Sequence, residues 1–133
     1  MTMSNLFDAL RSAFPADLDA IAIETADTPE PLCYTWRDID RGTAMMANLL
    51  ASLELPQDAR IAVQVDKSVE ALMLYLAVLR AGYVYLPLNS AYQRGEIEYF
   101  IGNAEPSVVV CTPKNFQWVS RIAFGAGVGH VYT

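Results

Sequence analysis

The chain has 133 residues, 53% apolar and 18% charged, with a formal net charge of −6. That balance excludes a disordered segment and fits about one domain with a sizeable core. Its nine Lys and Arg are scattered, so there is no basic patch of the kind that releases counterions from nucleic acid.

The amino-terminal MTMSNLFDALRSAF has no basic n-region and no long apolar core, so it is not a secretory signal. It reads as a short amphipathic helix over 5–14, with Ser4 as cap, Leu6, Phe7, Leu10 and Phe14 on one face, and Pro15 as its stop. Residues 20–25 (AIAIET) alternate like a strand, ADTPEP makes a turn, and 32–35 (LCYT) form a second strand, paired with the first as a hairpin. Thr35 then stands as an N-cap with Asp38 in the reciprocal position, opening a helix to about residue 53. Its Trp36, Ile39, Thr43, Met46, Ala47, Leu50 and Leu53 recur at helical spacing and read as core rather than as a cofactor-binding stripe. After the LPQD turn, 60–65 (RIAVQV) is a strand.

Ser68 caps the next helix, 68–80, which has Glu70 in its first turn, Arg80 in its last and Gly82 just beyond. This helix is apolar nearly all round and calls for burial on every side. Residues 84–88 form a strand ended by Pro87, which cannot donate to a ladder. A helix over 95–104 places Ile97, Phe100, Ile101 and Ala104 on one face, and 107–112 (SVVVCT) reads as a strand buried on both faces. Residues 115–124 are helical, GAGVG is a loop and HVYT starts a last strand. From residue 60 the order is β-α-β-α-β-α-β, which implies an α/β, Rossmann-like parallel sheet with crossover helices. No linker divides residues 1–133, which read as a single unit. The longest apolar run, 71–79, is far short of the roughly 20 residues a bilayer span needs, and the expected location is cytoplasmic.

Parallel sheets bind ligands beyond the carboxyl ends of their strands. Three junctions qualify: QVDKS, PLNSAYQR and CTPKN. Lys67 and Ser68 could hold a phosphate or carboxylate at a helix start, but a plain cap and a solvated charge are the favoured account, since every α/β unit makes such a junction. Phe124 to His130 (FGAGVGH) is not a dinucleotide loop, because its glycines follow a helix and precede a strand. His130, the sole histidine, has no Ser or Cys motif beside it and reads as structural or exposed. Cys33 and Cys111 lie far apart in apolar or β-like runs and are expected to be buried, reduced thiols. No phosphate-loop, nucleophile-elbow or metalloprotease signature occurs, so no catalytic, cofactor-binding or metal-ligating residue is assigned within the chain.

Residues 67–111, KSVEALMLYLAVLRAGYVYLPLNSAYQRGEIEYFIGNAEPSVVVC, resemble the amino-terminal region of the adenylate-forming enzymes. That family includes acyl-CoA synthetases, luciferases and the adenylation domains of peptide synthetases. YTWRDI (34–39) is similar to the family's L-[ST]-Y-x-E-L pattern, and LRAGYVYLPLN (79–89) to L-K-A-G-x-x-x-x-P-[LID]-[ND]. The downstream A-Y-x-x-x-E-I and A-E-P-x-x-V-V agree, and the wording within the family is most similar to bacterial malonyl-CoA synthetases. One departure is Gln93, where the family often has Thr in a capping box with Glu96; Gln is a poor cap, at a cost of about 1 kcal/mol.

The resemblance implies an AMP-forming carboxylate–CoA ligase that uses ATP, coenzyme A and Mg, with a small carboxylic acid as substrate. The family's Lys-Gly-ended phosphate loop and later acidic and lysine motifs are missing. The 133 residues are therefore expected to be an amino-terminal fragment, inactive alone, whose helix 68–80 is covered by the remainder of the polypeptide or by a second copy. The resemblance makes 79–92 a structural corner beside the substrate cleft, with Asn89 and Tyr92 as loop-fixing hydrogen bonders. The alternatives are a ligase for another small acid and a stand-alone, non-catalytic α/β interaction domain.

Overall fold

The computed structural model describes residues 5–26 and 29–133. Ser4 lies outside them, as do Asp27 and Thr28 of the expected ADTPEP turn. Helix α1 (Leu6–Ser12) is capped by Asn5, whose Oδ1 accepts from the Asp8 amide at 3.0 Å while Asp8 Oδ2 accepts from the Asn5 amide at 3.3 Å. The helix ends two residues before the expected Phe14, since Ala13 turns its amide back to the Leu10 and Arg11 carbonyls. Strands β1 (Ile21–Glu24) and β2 (Cys33–Thr35) pair antiparallel, as the hairpin reading expects. Helix α2 (Trp36–Ser52) opens on the anticipated capping box: Thr35 Oγ1 accepts from the Asp38 amide at 3.1 Å, and Asp38 Oδ2 from the Thr35 amide at 2.9 Å.

The main sheet holds β3 (Arg60–Gln64), β4 (Val84–Pro87), β5 (Val108–Cys111) and β6 (His130–Tyr132), all parallel, in the order β4-β3-β5-β6. Helix α3 (Val69–Arg80) joins β3 to β4, α4 (Arg94–Ala104) joins β4 to β5, and α5 (Phe116–Gly125), entered through a 3₁₀ turn at Pro113–Asn115, joins β5 to β6. Period-two alternation splits β3 between two cores. Ile61 and Val63 face Leu50 of α2 and Val78 of α3; Ala62 faces Ile97 and Ile101 of α4 and Val119 of α5. The step from β3 to β4 runs one way across the sheet with its helix on the α2 face. The steps from β4 to β5 and on to β6 run the other way with helices on the opposite face, the reversal that a constant crossover hand demands. Fully buried Ile and Val side chains on each face contribute about 2 kcal/mol apiece.

The corner at 79–89 is explained by a glycine. Gly82 sits at φ +82°, where its amide donates to Leu79 O at 3.1 Å and the Tyr83 amide to Val78 O at 3.0 Å. These two bonds close the end of α3 and aim the chain into β4. Pro87 ends β4, an edge strand, where the missing donor costs no ladder bond. The GAGVG loop repeats the device: Gly127, at φ +90°, donates to Phe124 O at 3.1 Å and Val128 to Ala123 O at 2.9 Å.

Helix α3 packs against α1 and α2, with Met73, Ala77 and Val78 buried, while Leu72 stays 43% exposed. One expectation changes. Cys33 is exposed on the short strand β2 rather than buried, because only half of a two-stranded ribbon can face the core. Cys111 is buried, and burial pushes its thiol pKa up. No helix among the described residues is long and apolar enough to cross a membrane.

Candidate functional site

The parallel strands bring 65–68, 88–93 and 112–115 to one edge of the sheet. The loop leaving β3 turns to the α3 face, and those leaving β4 and β5 turn to the α4–α5 face. A crevice therefore opens beside the end of β3, the place where open parallel sheets bind ligands.

Gln64 occupies that place. It is 1% exposed, and its Nε2 donates to the carbonyls of Asn89 at 3.1 Å and Tyr92 at 3.2 Å. Asn89 Oδ1 accepts from the Ala91 amide at 2.9 Å, and Asn89 O also accepts from the Tyr92 amide at 3.0 Å. The Tyr92 ring stacks on Phe100 of α4 at 5.1 Å with an interplanar angle of 18°. Glu96 Oε2 accepts from the Gln93 amide at 3.1 Å, so the start of α4 is held from inside the helix despite the weak capping residue. Asn89 thus fixes the loop with its side chain as expected, whereas Tyr92 does so through its backbone and its ring stack on Phe100, with no side-chain hydrogen bond among the described residues.

The loop walls a cleft of about 460 Å³ lined by residues 90–94, Lys114, Asn115 and Trp118. Trp118 Nε1 donates to Asn115 Oδ1 at 3.3 Å and steadies the far wall. A neighbouring hollow of about 420 Å³ lies between α4 and α5 and includes Arg94, Glu98 and Arg121. The ion pairs among the described residues engage Arg11, Arg37 and Arg80, leaving Arg94, Lys114 and Arg121 exposed without one. Three cations on one side of an acidic chain favour an anionic group, although each contributes weakly through solvent and salt. No nucleophile hydrogen-bonded to a base lines either hollow.

The other residues named from sequence lie outside this arrangement. Ser68 Oγ accepts from the Ala71 amide at 3.0 Å, which makes it a cap, and Lys67 is exposed. His130, on β6, packs its ring parallel to Tyr132 at 6.4 Å. Among the described residues no three His, Cys, Asp or Glu gather as a metal site. Sequence reasoning missed Gln64, whose signal was a lone amide in phase with buried Ala62 in the apolar run RIAVQV. It also missed the grouping of Arg94, Lys114 and Arg121, which are far apart in the chain.

The family model for AMP-binding enzymes matches residues 14–127. The chain belongs to the AMP-binding enzyme family. This chain is 26% identical over 127 residues to tyrocidine synthase 1 of Brevibacillus parabrevis, covering 96% of this chain and 11% of that protein. It is 28% identical over 85 residues to a probable CoA ligase of Humulus lupulus, covering 64% of this chain and 16% of that one. Among solved structures it is similar to MatB from Rhodopseudomonas palustris, with a TM-score of 0.86 and 41% identity, covering 96% of this chain and 25% of that one. A benzoate CoA ligase from Burkholderia xenovorans LB400, at 18% identity and a TM-score of 0.85, shares the fold. The chain thus spans about a quarter or less of the length of these relatives, and its sheet is the amino-terminal part of an adenylate-forming fold.

Proposed function

We propose that the chain is the amino-terminal supporting sheet of an AMP-forming acyl-CoA synthetase that acts on malonate. The observation that carries this reading is the 41% identity to MatB across 96% of the chain. The resemblance of 67–111 to malonyl-CoA synthetases supports the same substrate. In this reading a carboxylate oxygen attacks the α-phosphate of ATP and pyrophosphate leaves. The thiol of coenzyme A then attacks the acyl carbon, loses its proton and displaces AMP.

In this reading the nucleotide and magnesium sites lie outside this segment, whose sequence has no Lys-Gly-ended phosphate loop. ATP, coenzyme A and Mg therefore belong to the rest of a longer polypeptide, and residues 1–133 act as one structural unit beside it. That remainder is also the proposed partner. It seats on an apolar groove of about 270 Å³ between α2, the start of α3 and β5–β6, where Met46, Leu49, Ala71, Leu74, Val110 and Tyr132 meet. A cytoplasmic location fits the substrates.

A second reading has its own support: tyrocidine synthase 1 is similar over 96% of this chain, which favours an amino-acid-activating domain. The deciding experiment is ATP–pyrophosphate exchange by the protein expressed from its complete gene, offered malonate, other small acids and the amino acids. Exchange with malonate, followed by AMP release on adding coenzyme A, upholds the first reading. Exchange with an amino acid alone replaces it with the second, and no exchange with any acid leaves a non-catalytic interaction domain.

A further inference from the structure

We propose that Gln64 is a positioning residue for the cleft beside α4: its carboxamide latches the 89–92 loop from beneath and so sets the wall that presents Arg94 opposite Lys114. The proposal depends on that cleft binding an anion, and not on which acid a longer polypeptide activates. Its geometry begins with β3, where Gln64 shares the phase of Ala62 and pairs in register with Cys111, both fully buried. An amide at such a position is costly unless it is hydrogen-bonded. Here Nε2 meets the carbonyls of Asn89 and Tyr92, the two ends of the loop. Chemistry settles the orientation of the amide: turned round, Oε1 would face two carbonyl oxygens with no donor among the three.

The fixed orientation has a second consequence. Gln64 Oε1 is buried without a protein partner among the described residues. An apolar side chain would fill the same volume with neither feature. Gln64 therefore joins the strand end to both ends of the loop, and the loop runs directly into Arg94, the first residue of α4.

Two measurements on the protein expressed from its complete gene test this. Hydrogen exchange reads the Ala91 and Tyr92 amides, which bond within the loop; calorimetry reads inorganic pyrophosphate as the anion probe. Gln64→Met keeps the volume and removes the latch. Exchange at 91 and 92 should rise by about tenfold while the β3–β5 ladder stays within about twofold, and pyrophosphate affinity should fall although no cation is lost. The double variant Arg94→Ala, Lys114→Ala should lose affinity with loop exchange unchanged. If Gln64→Met proves unfolded, Gln64→Asn, one methylene too short to reach the carbonyls, gives the same readout. Unchanged loop exchange, or an equal rise at every amide, overturns the latch. Faster loop exchange with unchanged pyrophosphate affinity overturns the positioning role. Pyrophosphate affinity unchanged in the Arg94→Ala, Lys114→Ala variant overturns the cleft itself, while the ligase reading is judged separately by the acid panel.

Discussion

Arg80 donates through a single nitrogen, Nη1, to both the carboxylate and the backbone carbonyl of Asp40, each at 3.0 Å. Arg11 takes the same carboxylate from the other side, with Nε at 2.8 Å and Nη2 at 3.1 Å. The Arg80 guanidinium also lies 4.8 Å from the centre of the buried Phe7 ring. One acid thus ties α1, α2 and α3 together.

The first prediction concerns charge at that node. The hydrogen bond from Arg11 is the main reason the Asp40 carboxyl sits below the usual carboxylate range; partial burial opposes it, and Arg80 adds to the lowering. A carboxyl depressed in the folded state adds stability above its unfolded pKa of about 3.9, and that stability is lost as pH falls through the lower folded value. Asp40→Asn should cost about 1–2 kcal/mol at pH 7 by urea denaturation, a figure tempered by the 41% exposure of Arg11. The difference from the parent chain should narrow steadily below about pH 4. A gap that stays constant down to pH 2 would show that the charge contributes nothing.

Glycine position should decide the sign of two otherwise similar substitutions. A Cβ at Gly82 meets no atom within 4 Å, so Gly82→Ala carries only the backbone cost of φ +82°, about 1 kcal/mol. Gly102 is equally open but lies within α4 and has no positive φ, so Gly102→Ala should stabilise by up to about 1 kcal/mol. Thermal denaturation of the two variants should move in opposite directions, and a shared direction would remove the proposed role of the corner.

The two thiols should separate in reactivity. Exposed Cys33 should react with a water-soluble disulfide reagent in the native chain, whereas Cys111, buried and with its pKa raised by burial, should react only as the chain unfolds. Two equivalents titrating at one native rate would contradict the packing of β5.

The segment alone should form no AMP from ATP and malonate, since in the proposed reading the phosphate loop lies in the rest of the polypeptide and none occurs in these residues. Malonate-dependent turnover at stoichiometric purity would overturn this. A denatured intact mass, taken on the product of the complete gene, should be several times 14.7 kDa. A mass near that value would mean that this chain acts as a binding domain.

Much of the fold was legible because its signals are local. The Thr35–Asp38 box, the Ser68 cap and the Gly82 and Gly127 stops each depend on bonds between residues no more than five apart, so residue type and spacing suffice. Alternation of strand and helix from residue 60 was enough for a parallel sheet, and motif wording was enough for the family. The helix caps near Asn5 and Gln93 were harder, since either neighbour of a polar run can serve and Glu96 can hold a start that Gln93 specifies poorly.

The sequence by itself determined where the chain turns, which residues alternate into a core, and which family it joins. Tertiary structure decided the strand order β4-β3-β5-β6, the exposure of Cys33, the Arg11–Asp40–Arg80 node, and the meeting of Gln64 with Asn89 and Tyr92. Those contacts join residues some 25 to 40 positions apart. Their pairing depends on which face each crossover takes, and no spacing rule within one segment encodes that choice.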